Sequence, residues 1–149
     1  MSIDSKALAA EGAPTYLASG DPSLADYYPA WLDNLADDVT VEGSMLDGAV
    51  KGADAARAVV VTIRTLYGES QEFHSAGPWG DNSWIEDYIA QVDGKPLGCV
   101  VLVTRNAAGQ TQHIVANYRP RSSLLLFARL LGEKFAGTPI AEHFITSEA

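Results

Sequence analysis

Apolar residues recur along this chain with two different periods, one typical of helices and one typical of strands. The helical period predicts four helices, at residues 5–18, 21–35, 52–67 and 122–135. The period of two predicts five strands, at residues 39–46, 70–79, 83–92, 97–105 and 110–119. Short turns rich in Gly, Asp and Asn separate the last four strands, which indicates an antiparallel meander. The predicted order of elements is ααβαββββα.

Length, charge and cysteine content narrow the classes of function. A chain of 149 residues fits a single domain spanning residues 1–149. Its net charge of −9 opposes binding to nucleic acid or to anionic lipid, and no apolar run approaches the ~20 residues of a membrane span. The first twelve residues lack the pattern of a signal peptide, so we expect a cytoplasmic protein. Cys99 is the single cysteine, which excludes an intramolecular disulfide and a thiolate metal cluster.

The order of elements and several local landmarks resemble the nuclear transport factor 2-like superfamily, which includes ketosteroid isomerases, limonene epoxide hydrolases and polyketide cyclases. The landmarks are LADDVTVE at residues 35–42, Gly52, the turn Asp93-Gly94-Lys95, and Gly109 before the last strand. The resemblance implies an α+β fold, with a cone-shaped curved antiparallel sheet and three to four helices enclosing a pocket. It also implies a small apolar ligand. Both faces of the VVLV run in the strand at 97–105 are apolar, which predicts a homodimer through the outer face of the sheet.

The catalytic residues of the ketosteroid isomerases are mostly missing. The place of the general-base aspartate in the first strand is occupied by Gly43, and that of the protonated oxyanion-hole aspartate by Val101. Tyr16 resembles the family's hydrogen-bonding tyrosine, and no Arg-x-Asp strand pair of the epoxide hydrolase kind is present. Classical ketosteroid isomerase and epoxide hydrolase activities are therefore disfavoured.

Strand alternation predicts which side chains face the pocket. The predicted inward set is mainly apolar with a few polar atoms: Trp84, Glu86, Tyr88, Ala90, Cys99, Val101, Val103, Gln112, Ile114, Ala116 and Tyr118. Such a composition is typical of a small-molecule site. The predicted ligand-binding residues are Trp84, Tyr88, Val101, Gln112, Tyr118 and, from the aromatic stripe of the second helix, Trp31.

Glu86 is the first candidate for catalysis, with Tyr16 as the second. A carboxylate between Trp84 and Tyr88 on a pocket wall is expected to have a raised pKa and to serve as a general acid or base. One alternative is that Glu86 lies at the rim of the pocket or pairs with an arginine. The others are that Tyr16, Tyr88 and Tyr118 only pack in the core, and that the aromatic stripe Tyr27-Tyr28-Trp31 belongs to the core as well.

The histidines indicate no metal site. His74, His113 and His143 fall on separate segments without paired ligand spacing, so we predict neither a metal nor another cofactor. Alternation places His113 with Asn117 and Arg119 on the outer sheet face, where dimer contacts are expected.

The sequence leaves three functions open. The first is an acid/base enzyme of the isomerase, cyclase or hydratase type acting on an apolar molecule. The second is a ligand-binding protein without catalysis, and the third is a dimerisation module with a vestigial pocket. The discriminating observation is whether Glu86 opens into a cavity of several hundred Å³.

Overall fold

Six strands and two α-helices form from the periodic segments of the sequence in a computed structural model, which describes residues 20–144. The strands are β1 (Leu35–Gly43), β2 (Val50–Lys51), β3 (Glu72–Pro78), β4 (Ser83–Val92), β5 (Lys95–Arg105) and β6 (Thr111–Arg119). The helices are α1 (Ala53–Tyr67) and α2 (Arg121–Lys134), and three short 3₁₀ helices span Pro22–Leu24, Ala30–Asp33 and Pro139–His143. The predicted helix at 5–18, with Tyr16, lies outside the described residues.

The strands form one curved, unclosed sheet in the order β2-β1-β6-β5-β4-β3. Strands β3 to β6 make the predicted antiparallel meander. The expectation of a wholly antiparallel sheet is wrong, because β1 pairs with β6 in parallel. The long connection from β1 to β6, which includes α1 and the rest of the meander, provides the crossover that a parallel pair requires. The α+β fold class is as predicted, and the sheet is mixed.

The helix predicted at residues 21–35 is replaced by two 3₁₀ helices. Asp21 caps the first of them as expected, since its Oδ1 accepts the Ser23 N–H at 2.9 Å. Pro29 lies between the two, and its ring and missing N–H prevent one continuous helix. The segment therefore crosses one end of the sheet as a bent chain.

Both helices pack on the same face of the sheet, which we call the inner face. Helix α1 buries Ala56, Val59, Ile63 and Tyr67, and α2 buries Ser123, Phe127 and Leu131. Cys99 on β5 is fully buried among them, as predicted. The core therefore lies between this face and the helices, and the side chains of the candidate site belong to it.

Candidate functional site

Glu86 lies in the core on β4. Alternation along the strand directs it to the inner face, opposite Ala76 of β3 and Val101 of β5. Its exposed fraction is 2%, so the predicted burial is confirmed. A carboxylate is rarely buried to this degree unless it is hydrogen-bonded.

The hydrogen bonds of Glu86 come from the bent segment before β1. The Tyr27 hydroxyl donates to Glu86 Oε2, and the Trp31 indole Nε1–H donates to the same oxygen at 2.8 Å. Trp84 Nε1–H donates in turn to the Tyr27 hydroxyl oxygen at 2.8 Å. The carboxylate thus accepts hydrogen bonds from a tyrosine and a tryptophan. Within the described part of the chain it neither pairs with an arginine nor lies at the rim of the cone, which were the alternatives left by the sequence.

Opposing influences set the pKa of Glu86. Burial raises it, while the hydrogen bonds from Tyr27 and Trp31, the nearby indole N–H of Trp84 and the more distant charge of Arg64 lower it. The net pKa shift is upward, as predicted. Burial and the adjacent carboxylate also raise the pKa of Tyr27 strongly, so its hydroxyl keeps its proton and remains a donor.

The interior space beside Glu86 is small. The cavity has a volume of about 40 Å³, whereas pockets for drug-sized ligands have ~300–1,000 Å³. Of the predicted ligand-binding residues, Trp31, Tyr88, Val101 and Tyr118 line it. Trp84 bonds Tyr27 without lining the cavity. The cavity has room for about three water molecules, at roughly one probe volume of ~10–15 Å³ each.

Gln112 does not face the cavity, so its predicted orientation is wrong. Its Nε2–H donates to Asp38 Oδ1 and its Oε1 accepts from Asn106 Nδ2, each at 3.0 Å. The reason is a register shift between Thr104 and Arg105, where β5 meets β6. An irregularity of this kind inverts the alternation beyond it.

A second polar cluster lies deeper in the core. The hydroxyl of Tyr67 pairs with that of Tyr88 at 2.7 Å and donates to that of Tyr118 at 3.0 Å. Burial raises the pKa of all three phenols, and it raises the pKa of the neighbouring Cys99 thiol to about 12. Tyr88 and Tyr118 also line the cavity beside Glu86.

Positions 43 and 101, where the ketosteroid isomerases resemble this chain but have aspartates, are occupied by Gly43 and Val101 in tightly packed surroundings. A Cβ atom at position 43 would lie 1.8 Å from the Ala116 carbonyl oxygen, because β1 and β6 approach closely there. Any side chain at this position therefore requires the backbone to move. Val101 is 5% exposed and faces Glu86 across the β4–β5 pair. The one carboxylate among the described residues that line the cavity thus comes from β4.

Several site residues were missed in the sequence. Tyr27 belongs to the same aromatic stripe as Trp31 but was not selected as a site residue, although its separation of four residues from Trp31 indicated a shared face. Met45, Arg64 and Gln71 also line the cavity, and no sequence signal marked them.

The described residues contain no cluster of three or more His, Cys, Asp or Glu side chains suited to a metal ion. His113 bonds Glu42 at 3.2 Å and also contacts Thr40, while His143 contacts the Asp47 carbonyl oxygen at 3.0 Å. Within residues 20–144, neither helix has the length and apolarity needed to span a membrane.

Comparison with known proteins places the fold. No family model and no curated protein matches the chain. A steroid delta-isomerase from Pseudomonas aeruginosa is 18% identical with a TM-score of 0.66, over 89% of this chain and 92% of that one. An uncharacterised protein with a cystatin-like fold from Silicibacter pomeroyi is 19% identical with a TM-score of 0.65, over 72% and 74%. An NTF2-like protein from Anabaena variabilis is 13% identical with a TM-score of 0.50, over 66% and 78%.

These likenesses concern the fold. The chain has the nuclear transport factor 2-like fold, with the curved sheet and inner-face helices already described.

Proposed function

We propose that this protein binds a small apolar molecule inside the cone and that Glu86 exchanges a proton with it. The observation that carries the proposal is a buried carboxylate on the wall of an apolar cavity, held by two hydrogen bonds to one oxygen. With Oε2 fixed by Tyr27 and Trp31, Oε1 is the atom that meets the ligand. The raised pKa of Glu86 suits a general acid or base, since proton transfer is most efficient when the pKa of the catalytic group lies near the working pH.

The reaction class that fits is a proton shuttle. An ionised Glu86 takes a proton from an acidic C–H or O–H of the ligand and returns it to another atom of the same molecule. Tyr88 and Tyr118, which also line the cavity, supply hydroxyl groups for a ligand oxygen. Isomerisation and cyclisation include such a step, and in hydration Glu86 would take the proton from a water molecule that supplies the hydroxyl group.

The small cavity sets a condition on this function. A ligand larger than a few water molecules must displace side chains, because the cavity has a volume of only about 40 Å³. The cone therefore opens to admit its ligand.

The test is a titration of the Glu86 carboxyl by NMR, with Glu86→Gln to assign the signal. We expect a pKa above the ordinary 4.5, because burial outweighs the hydrogen bonds. Glutamine keeps an oxygen for Tyr27 and Trp31, so the fold is retained. A carboxyl that titrates at or below 4.5 would remove the main support for an enzyme.

The same shift has a signature in stability. Since the folded-state pKa is raised, Glu86 contributes most to stability below the unfolded value, and that contribution is lost as pH rises through the folded pKa. The free energy of unfolding of the wild type, relative to Glu86→Gln, should thus fall as pH rises from about 4.5. Urea denaturation at several pH values measures this difference.

A ligand-binding protein without catalysis is the second candidate. The absence of acids at positions 43 and 101 favours it, because Glu86 then has no carboxyl partner at either position. Comparing Glu86→Gln with the wild type distinguishes the two candidates. In an enzyme the substitution abolishes turnover of the ligand, and in a binding protein it changes only the affinity for the ligand.

We also propose that two copies of the chain pair through the outer face of the sheet. Ile85, Leu102 and Val115 form an apolar row across β4, β5 and β6, each half-buried in the single chain. Val100 adds to it in the adjacent row. A continuous apolar patch on an open sheet face favours a protein contact.

A further inference from the structure

Met45 separates two spaces in the molecule. One is the cavity beside Glu86, and the other is an open groove of about 720 Å³ between α2 and residues 44–47, which we call the α2 groove. Met45 lines both, and among the described residues it is the one that does. Its exposed fraction is 3%. The Met45 side chain is therefore part of the wall between groove and cavity.

The backbone around Met45 is fixed on both sides. Ser44 N–H donates to the Ala116 carbonyl oxygen at 3.1 Å, and Ser44 Oγ accepts the Tyr118 N–H at 2.8 Å. Asp47 N–H donates to the His143 carbonyl oxygen at 2.7 Å. A connection between groove and cavity therefore depends on the side chain of Met45. An unbranched thioether with three rotatable bonds rearranges readily.

The lining of the α2 groove is mainly apolar. Leu124, Leu125, Ala128 and Phe144 line it, and Leu125 has an exposed fraction of 63%. A large exposed leucine beside other apolar side chains favours contact with an apolar molecule. An ion pair between Arg129 and Glu133 also belongs to the groove, with both charges already matched.

A second groove reaches the cavity on another side and has a different chemistry. It has about 770 Å³ and shares Arg64, Gln71 and Phe73 with the cavity lining. Its other residues include Glu69 and Glu72. An uncharged apolar molecule gains less from such a surface than from the α2 groove, because charged groups must lose water to contact it.

We propose that an uncharged apolar ligand enters through the α2 groove and that the Met45 side chain is the gate to the cavity beside Glu86. This inference rests on the proposed ligand-binding function and adds to it the route and the class of ligand. Rotation of Met45 joins groove and cavity, which removes the limit that the 40 Å³ cavity places on ligand size.

The test uses N-phenyl-1-naphthylamine, an uncharged apolar probe that accepts excitation energy from tryptophan. Stopped-flow mixing gives its association and dissociation rate constants. For Met45→Ala we expect both to rise by about tenfold, the lower end of the range seen among variants of one site. For Met45→Phe both should fall, and the dissociation constant should change less than either rate.

Two further variants make the test independent of a damaged core. Leu125→Glu changes an exposed side chain of the groove, so it leaves the fold intact and should slow association. Glu69→Ala, at the second groove and outside the cavity lining, should leave both rates unchanged. Acceleration by Glu69→Ala, with rates unaffected by Met45→Ala, Met45→Phe and Leu125→Glu, would overturn the route.

A third comparison separates failure of the route from failure of the proposed function. Ala116→Leu adds carbon atoms to the cavity wall and should abolish probe binding. If the wild type does not bind the probe, or Ala116→Leu binds it equally well, the cavity site and the gate both fail. If Ala116→Leu abolishes binding but the rate constants do not change in the Met45 and Leu125 variants, only the proposed gate is wrong.

Discussion

The Tyr27 hydroxyl is the group that most directly opposes the effect of burial on Glu86. It leads the hydrogen bonds that lower the pKa of Glu86, while its own raised pKa keeps it protonated. A hydrogen bond to a charged group contributes about 1.5–3 kcal/mol, so its loss should be visible in the titration.

We therefore expect Tyr27→Phe to raise the pKa of Glu86 further, by about 1–2 units, since one unit corresponds to ~1.4 kcal/mol. The NMR titration of the Glu86 carboxyl measures this change. Tyr28→Phe is the matched control, because the Tyr28 hydroxyl bonds Asp33 at 3.0 Å and not Glu86. An equal pKa in Tyr27→Phe and the wild type would show that the hydroxyl does not stabilise the ionised carboxylate.

At the residue level, the sequence was informative where alternation is regular. Trp84, Glu86 and Tyr88 share a face because β4 runs without a bulge against β5, and the bulk of the two aromatic side chains indicated that this face is the inner one. The partners of Glu86 could not be derived that way. Tyr27 and Trp31 reach it from 59 and 55 residues away, and only the path of the bent segment brings them there.

The element most sensitive to a small change is the end of β1. At Gly43 the neighbouring atoms are backbone atoms of Ala116, which cannot rotate away as a side chain would. The same contact explains why an aspartate at position 43 would not fit unless the backbone moved. Glycine is thus required by the close pairing of β1 with β6.

We expect Gly43→Ala to lower the free energy of unfolding by about 1–3 kcal/mol or more, the usual range for overpacking a core. Gly77→Ala on β3 is the matched control, because nothing lies within 4 Å of its added Cβ. Urea denaturation of both variants measures the difference. Equal stability of the two would mean that β1 and β6 separate at little cost.

Prediction of the elements succeeded or failed for identifiable reasons. The strand at 83–92 and the helix at 52–67 were found closely, because turn residues and a terminal Gly68 bound them. The helix at 21–35 was wrong because Pro29 outweighs helical spacing. Strand β2 has two residues, too few for any period to show. The parallel pairing of β1 with β6 depends on the whole topology, which local patterns do not contain.

Within residues 20–144, most of the side chains on the outer face of the sheet are only partly buried, and the proposed contact between two copies lies on this face. Its apolar row is bordered by an ion pair between Arg119 and Asp87, at 3.1 Å. In a two-fold dimer each residue of the patch meets the same patch of the other copy, so an apolar centre with a polar border is self-complementary.

We expect a homodimer at micromolar concentration in sedimentation velocity, with Arg119 and His113 losing exposure on association. Leu102→Lys should yield monomers, because it places a charge in the middle of the apolar row, where contact with a second copy would remove its water. Val61→Lys is the control, since Val61 is 48% exposed on α1 and away from the sheet, and it should remain dimeric. Circular dichroism shows whether each variant keeps its fold. A wild type that sediments as a monomer, or a Leu102→Lys variant that stays dimeric, would contradict pairing through this face.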